Sequence, residues 1–254
     1  MRTLTFLLGP FLLSTVPLFA QDDTKQAEAG AQISQLTAKL TRLYQEGKYA
    51  DARSAGEDAL KIAEESFGPE DPTTSTCLIN VAAMHQLMGD LQGAKPLVQR
   101  ALAIREKVLG PDHLETAKCL NNLGALLLAM GDPKGARSLF ERTLAIYEKT
   151  PGTSAGHLTT AQSNLAMVLK ELGALREAQS LLDRALASSE KTAGPDHPDT
   201  ATALNNLAVV LQAMGDLGGI ETALRACAGD PREGPWPRSP VDGGESQPTG
   251  LVAR

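Results

Sequence analysis

The stretch TAKCLNNLGALLLAMGD at residues 116–132 returns as TATALNNLAVVLQAMGD at residues 200–216. Within and around these two segments, three kinds of marker residue recur every 42 positions without an insertion. The markers are Gly47, Gly89, Gly131, Gly173 and Gly215; Asn80, Asn122, Asn164 and Asn206; and Gly68, Gly110, Gly152 and Gly194. A fixed period of this length indicates a stack of structural repeats that bury their apolar faces against one another.

Each repeat carries the apolar spacing of two consecutive α-helices, with side chains at steps of three and four residues. One repeat shows it at Leu120, Leu123, Leu127 and Met130 in the first helix, and at Ala136, Leu139, Phe140 and Leu144 in the second. Gly131 is placed to end the first helix in a left-handed conformation. The predicted pairs are 31–46 with 48–66, 72–88 with 91–108, 113–130 with 134–149 and 156–172 with 175–191, followed by a first helix at 199–214. No segment alternates with a period of two, so the predicted fold class is all-α.

Small residues recur where paired helices are expected to cross. They are Ala82, Gly124, Ala166 and Ala208 in first helices, and Ala94, Ala136 and Ala178 in second helices. Only 4% of the 254 residues are aromatic, so Ala and Leu must supply most of the core. Cys77 and Cys119 occupy the same position in successive repeats, roughly a helix diameter or about 10 Å apart. We therefore interpret them as small buried residues rather than as a disulfide.

The first twenty residues have the pattern of a cleaved signal peptide. Arg2 provides a positive start, residues 4–13 are almost wholly apolar, and Ala20 precedes an abrupt change to polar sequence. The apolar run is shorter than the roughly 20 residues of a membrane-spanning helix. We expect cleavage after Ala20, a short linker at 21–30, and export to the periplasm or the extracellular space. No membrane association is expected after cleavage.

The repeated motif becomes recognisable at Leu120-Asn121-Asn122-Leu123-Gly124, followed by Gly131, Ala136, Arg142 and Ala145. It resembles a tetratricopeptide repeat. The period and the linkers Gly110-Pro111-Asp112-His113 and Gly194-Pro195-Asp196-His197-Pro198 are similar to the kinesin light chain type. The resemblance covers 31–217, about four full repeats and the first helix of a fifth. It implies a right-handed superhelical solenoid whose concave wall, lined by first helices, binds extended peptides or partner proteins.

Asn80, Asn122, Asn164 and Asn206 are the main candidate site residues, since asparagine is a poor choice for the middle of a helix. The resemblance implies that these amides hold the backbone of a bound peptide. The alternative is a hydrogen bond between repeats that fixes the stacking, and the two roles are compatible. Helical spacing adds Asn121, Asn205, Lys118 and Lys170 to the same surface. The two lysines allow a weakly acidic or carboxylate-ended peptide.

Other function classes find little support in the sequence. The net charge of −6 and the absence of a basic run argue against nucleic acid. His85, His113, His157 and His197 lack metal-ligand spacing, and Ser54, Ser66 and Ser138 lack fixed catalytic partners. We predict no metal, no cofactor and no enzymatic activity. The alternatives to an exported scaffold are a regulatory or sensor segment of a larger enzyme or signalling protein, and a spacer without a ligand.

The repeat markers stop after Leu217, and residues 218–254 contain seven Gly, five Pro and the only Trp. One interpretation is a disordered tail. The other is out-of-frame translation, because codons exist for Glu221–Gly250 whose neighbouring frame reads SRPLYERALAIREKALGP and then GPDHPSMAASLNQLA. These strings supply a missing second helix, a linker and a further first helix. Without that partner, the helix at 199–214 is expected to leave Leu204, Leu207 and Leu211 partly exposed and to favour self-association at the uncapped end.

Overall fold

The computed structural model describes residues 18–227, and side chains from 24 to 223. The described residues form ten α-helices and no strand. The helices are α1 (Leu18–Gln45), α2 (Tyr49–Ser66), α3 (Pro72–Leu87), α4 (Leu91–Leu109), α5 (Leu114–Ala129), α6 (Pro133–Lys149), α7 (Ala155–Glu171), α8 (Leu175–Thr192), α9 (Pro198–Met214) and α10 (Leu217–Cys227). The predicted all-α repeat fold is confirmed. None of the described helices combines the length and apolar composition that crossing a bilayer requires.

The described helices divide into two compact units, α1–α3 and α4–α10. In the first unit α2 packs against both α1 and α3. Its core is built from alanines of α2 and a few larger side chains, among them Leu40, Leu43 and Met84. Gly56 allows the close approach, because a Cβ at this residue would lie 3.0 Å from Leu40 Cδ1 and 3.2 Å from Val81 Cγ2.

The second unit stacks the pairs α5–α6, α7–α8 and α9–α10. Each second helix also packs on the next first helix, and α7 contacts both α5 and α9. One continuous core runs through these pairs and contains Phe140, Leu120, Leu182 and Leu207. The predicted small residues at the crossings are confirmed, since Ala136, Ala166 and Ala178 are fully buried within this core. Cys77 and Cys119 are confirmed as buried free thiols.

Glycine and capping residues set the helix ends at the predicted intervals. Gly47, Gly89, Gly131, Gly173 and Gly215 all have φ between 73° and 80°, the left-handed region that glycine adopts without strain. Side chains at the helix starts accept backbone N–H groups. The distances are 2.9 Å from Gly135 N to Asp132 Oδ1, 3.1 Å from Glu115 N to His113 Nδ1 and 3.2 Å from Asp199 N to His197 Nδ1. The capping role of the two histidines was not predicted.

The predicted linker at 21–30 is wrong, because these residues belong to α1, which begins at Leu18. The segment contains Gln, Lys, Glu and Ala, which are good helix formers. Its polarity reflects exposure, since residues 24–28 are exposed and the buried face begins at Ala29. Ala20, the predicted cleavage residue, lies in the first turn of this helix.

The prediction of an uncovered final helix is also wrong, because α10 packs against α9. Leu204, Leu207 and Leu211 are at most 2% exposed. Helix α10 forms in the observed sequence because Ile220 and Ala223 keep the apolar three-residue spacing and meet the core. Asp216 Oδ1 caps the helix by accepting Gly219 N at 3.0 Å. The predicted tail therefore does not begin at residue 218, and its part at 228–254 lies outside the described residues.

Candidate peptide-binding surface

The solvent-facing sides of α5, α7 and α9 form one surface of the second unit, here called the first-helix wall. It carries the predicted site residues of these three helices. Asn121, Asn122, Asn164 and Asn206 are half-buried, whereas Asn205 is exposed. Asn80 lies on α3 in the first unit, where it is also half-buried. Within the second unit, the fold therefore brings the predicted amides onto neighbouring helices.

Asn164 is hydrogen-bonded to the preceding repeat. Its Nδ2 donates to Oδ1 of Asn121 at 2.9 Å, across the contact between α7 and α5. This is the stacking role that the sequence left as the alternative. The acceptor, Asn121, directly precedes Asn122, the recurring asparagine of its repeat. The bond therefore needs a side-chain oxygen at the position before the recurring asparagine.

The other recurring asparagines have no such bond. The position equivalent to Asn121 is Ile79 in the repeat before Asn122 and Ser163 in the repeat before Asn206. Isoleucine has no acceptor, and Asn206 makes no side-chain hydrogen bond to Ser163 or to any other residue between 24 and 223. The Asn122 amide is likewise without a side-chain hydrogen bond in this range. Both therefore keep a donor and an acceptor for another molecule.

The two predicted lysines are close to carboxylates on their own helices. Lys118 Nζ lies 2.7 Å from Glu115 Oε1, and Lys170 Nζ lies 3.1 Å from Glu171 Oε1. The Lys118 ammonium holds the pKa of Glu115 below its ordinary value. Each lysine charge is thus partly neutralised by a nearby carboxylate, although Glu115 also lies 3.4 Å from Arg105, and this arrangement gives only weak support to an acidic ligand.

Helix α7 contains a polar group that the sequence analysis missed. Thr159, Gln162 and Ser163 are each less than 6% exposed, and the Oγ1, Oε1 and Oγ atoms respectively have no hydrogen-bond partner among the described residues. The residues equivalent to Thr159 and Gln162 are Ala117 and Leu120 in α5, and Ala201 and Leu204 in α9. Comparison of equivalent positions could have found this departure, since Gln162 alone replaces a core leucine.

The histidines and acidic residues do not assemble into a metal site. Among the side chains at 24–223, no group of three His, Cys, Asp or Glu residues could hold an ion. His113 and His197 cap helices, and His157 stacks on Tyr147 with ring centroids 5.4 Å apart.

Stacked helix pairs with an amide-bearing first-helix surface define an α-helical repeat protein. The sequence model of the tetratricopeptide repeat family matches residues 43–106, 78–149 and 157–227. The chain therefore belongs to the tetratricopeptide repeat family. The third match reaches Cys227 and thus includes α10. Repeats of this family generally mediate protein–protein interaction and generally lack enzymatic activity.

Solved structures show the same fold. The kinesin light chain-like TPR-like repeats of Podosopora anserina are 24% identical, with a TM-score of 0.69 over 78% of this chain and 93% of that one. BtubC from P. vanneervenii is 21% identical, with a TM-score of 0.69 over 90% of this chain and 96% of that one. PilF from Pseudomonas aeruginosa is 15% identical, with a TM-score of 0.59 over 80% and 78% of the two chains. No curated protein matches the sequence. These likenesses identify a kinesin light chain-like repeat fold.

Proposed function

We propose that this protein is an interaction scaffold whose first-helix wall binds an extended peptide segment of a partner protein. The observation that carries the proposal is that the amides of Asn122 on α5 and Asn206 on α9 have no side-chain hydrogen bond among residues 24–223. Both side chains are half-buried in helices, where asparagine lowers helix stability. Each can bind one N–H and one C=O of an extended backbone.

The wall's composition supports recognition of backbone rather than of charge. Lys118 and Lys170 each lie beside a carboxylate, and the exposed residues of the wall include Thr160, Thr202 and Gln212. A ligand held by amide hydrogen bonds needs no strong charge of its own. We expect its affinity to depend only weakly on salt, because screening acts mainly on exposed charges.

Paired asparagine substitutions test the proposal on the full chain. The probe is an extended peptide selected from a random library for binding to this protein. Asn122→Ala with Asn206→Ala is expected to weaken binding at least about tenfold, since each position loses its hydrogen bonds to the peptide, at about 1 kcal/mol per bond. Helix content and Tm should stay close to those of the unaltered chain, because neither amide has a side-chain hydrogen bond to any residue between 24 and 223.

Asn164→Ala is the matched control, because this asparagine holds the preceding repeat through Asn121. It is expected to lower the Tm while leaving more of the affinity than the double substitution does. Unchanged affinity after loss of both Asn122 and Asn206 would show that these amides do not hold the ligand.

A further inference from the structure

A regular pattern of acidic and basic residues runs along the second helices. Glutamate recurs every 42 residues, and an arginine follows 36 residues after each of the first three. The glutamates are Glu64, Glu106, Glu148 and Glu190, and the arginines are Arg100, Arg142 and Arg184. The position 36 residues after Glu190 is Ala226. The pattern therefore lacks its last arginine.

In the second unit, this pattern corresponds to ion pairs between consecutive second helices. Arg142 Nη1 on α6 lies 2.6 Å from Glu106 Oε1 on α4, and Arg184 Nη2 on α8 lies 2.7 Å from Glu148 Oε1 on α6. Arg142 also donates from Nη2 to the Pro111 carbonyl at 2.9 Å. Two bonds of the same register and nearly the same length show that the arginine position is set by the stacking of repeats.

Glu190 on α8 is the glutamate whose arginine is missing. It is half-buried, and no hydrogen bond or ion pair joins it to any side chain between 24 and 223. Burial raises the pKa of the Glu190 carboxyl, and among the side chains between 24 and 223 no opposite charge acts against this effect. Position 226 is the tenth residue of α10, as Arg184 is the tenth residue of α8. An arginine there would stand in the same register.

The neighbouring reading frame supplies a residue at this position. An alanine codon is GCN and a cysteine codon is TGY, so the shifted codon that straddles Ala226 and Cys227 is CNT. It encodes arginine when the third base of the Ala226 codon is guanine, and otherwise leucine, proline or histidine. In the string SRPLYERALAIREKALGP, the letters YER then fall at positions 224–226. Its GP falls at 236–237, 42 residues after Gly194-Pro195.

We propose that Glu190 is the docking point for an arginine at position 226, carried by the second helix of the fifth repeat as the neighbouring reading frame would encode it. The surface around Glu190 is thus an interface between repeats, and its occupant is an arginine-bearing helix that continues the array. Two features of the chain meet at this interface: Glu190 has no partner among the side chains between 24 and 223, and Ala226 occupies the arginine position of the 36-residue register.

A double-substitution cycle in the full chain tests the docking point. Ala226→Arg is expected to raise the Tm by about 2 °C, as a partly buried ion pair would in a chain of this size. Glu190→Gln should cancel that gain in the Ala226→Arg chain, but it should not lower the Tm of the unaltered chain. The pKa of Glu190, followed by carboxyl NMR titration, should fall when the arginine is present.

Arg184→Ala provides the matched comparison, because it removes an existing pair with Glu148 and should couple to Glu148→Gln in the same way. No coupling between position 226 and Glu190, together with an unmoved Glu190 pKa, would overturn the docking point. Circular dichroism checks that each variant folds.

The nucleotide sequence tests the second half of the proposal. A GCG codon for Ala226, inside a shifted frame that reads as a tetratricopeptide repeat, is the expected result. Any other alanine codon would place leucine, proline or histidine opposite Glu190 and would overturn the assignment. A full chain rewritten in the shifted frame from residue 220 should have a higher Tm than the observed chain, and a lower one again with Glu190→Gln.

Discussion

Gly124 shows how a single residue fits its repeat. A Cβ at this position would lie 2.8 Å from Phe140 Cε1 and 2.9 Å from Cζ. Phe140 is only 1% exposed, so its ring has little room to move. The equivalent residues of the next pair are Ala166 and Leu182, both fully buried. The smaller residue on α5 is thus matched to the larger ring on α6.

A double-mutant cycle at this contact should show strong coupling. Gly124→Ala alone is expected to cost about 1–3 kcal/mol by overpacking, partly offset by the better helix propensity of alanine. Phe140→Leu alone should cost a similar amount by leaving a cavity. Together they reproduce the pairing of Ala166 with Leu182, so urea unfolding should give a smaller loss than the sum. Additive losses would contradict this reading of the contact.

The sequence predicted where the candidate site residues lie better than it predicted which residues they contact. The recurring asparagines could be placed on first helices from their spacing alone, because the glycines fix the register of every repeat. Their different roles could not be predicted, since Asn164 pairs only because Asn121 stands opposite. Asn206 makes no such bond among residues 24–223, and the corresponding residue is Ser163, whose side chain is shorter than that of Asn121. That distinction depends on the reach of side chains between helices.

At the scale of elements, the interior helices match their predicted bounds closely. The predicted 134–149 and 175–191 are observed as Pro133–Lys149 and Leu175–Thr192. Asp132 caps the start of α6, and Gly173 and Gly194, both with positive φ, flank the two ends of α8, so the sequence contains the signal. The predictions failed at α1 because its first residues are polar, and at α10 because the repeat pattern changes after Leu217. Both segments nevertheless contain residues that form helices well. Tertiary packing of Ala29 and Ala223 decides those two helices.

Helix α7 is predicted to be the weakest-packed first helix of the second unit. Gln162 is 5% exposed and its Oε1 has no partner, whereas the equivalent Leu120 and Leu204 are buried in the core. Gln162→Leu should therefore raise the free energy of unfolding by about 1–3 kcal/mol, by removing an unsatisfied polar group and adding apolar burial. Leu204→Gln in α9 is the reciprocal control and should lower it. Thermal unfolding that ranks the two variants in the opposite order would refute this account.

At the scale of the whole molecule, the predicted export signal and the described repeats occupy different parts of the chain. The apolar leader at 4–13 lies outside the described residues. Cleavage after Ala20 would remove only three residues of α1, which begins at Leu18. Residues 24–28 are exposed, and the first core contacts of this helix come from Ala29 and Ile33. The described core contacts of α1 therefore begin after the predicted cleavage position.

We propose on this basis that the chain is exported and that its mature form begins at Gln21. Expression with the leader in a secreting bacterial host should give a processed protein whose intact mass corresponds to residues 21–254. Its Tm should equal that of the unprocessed chain within about 2 °C, because exposed terminal residues add little to stability. Replacing Ala20 with a bulky residue, as in Ala20→Trp, should block processing without changing that Tm. Recovery of only full-length protein from the cytoplasm would contradict export.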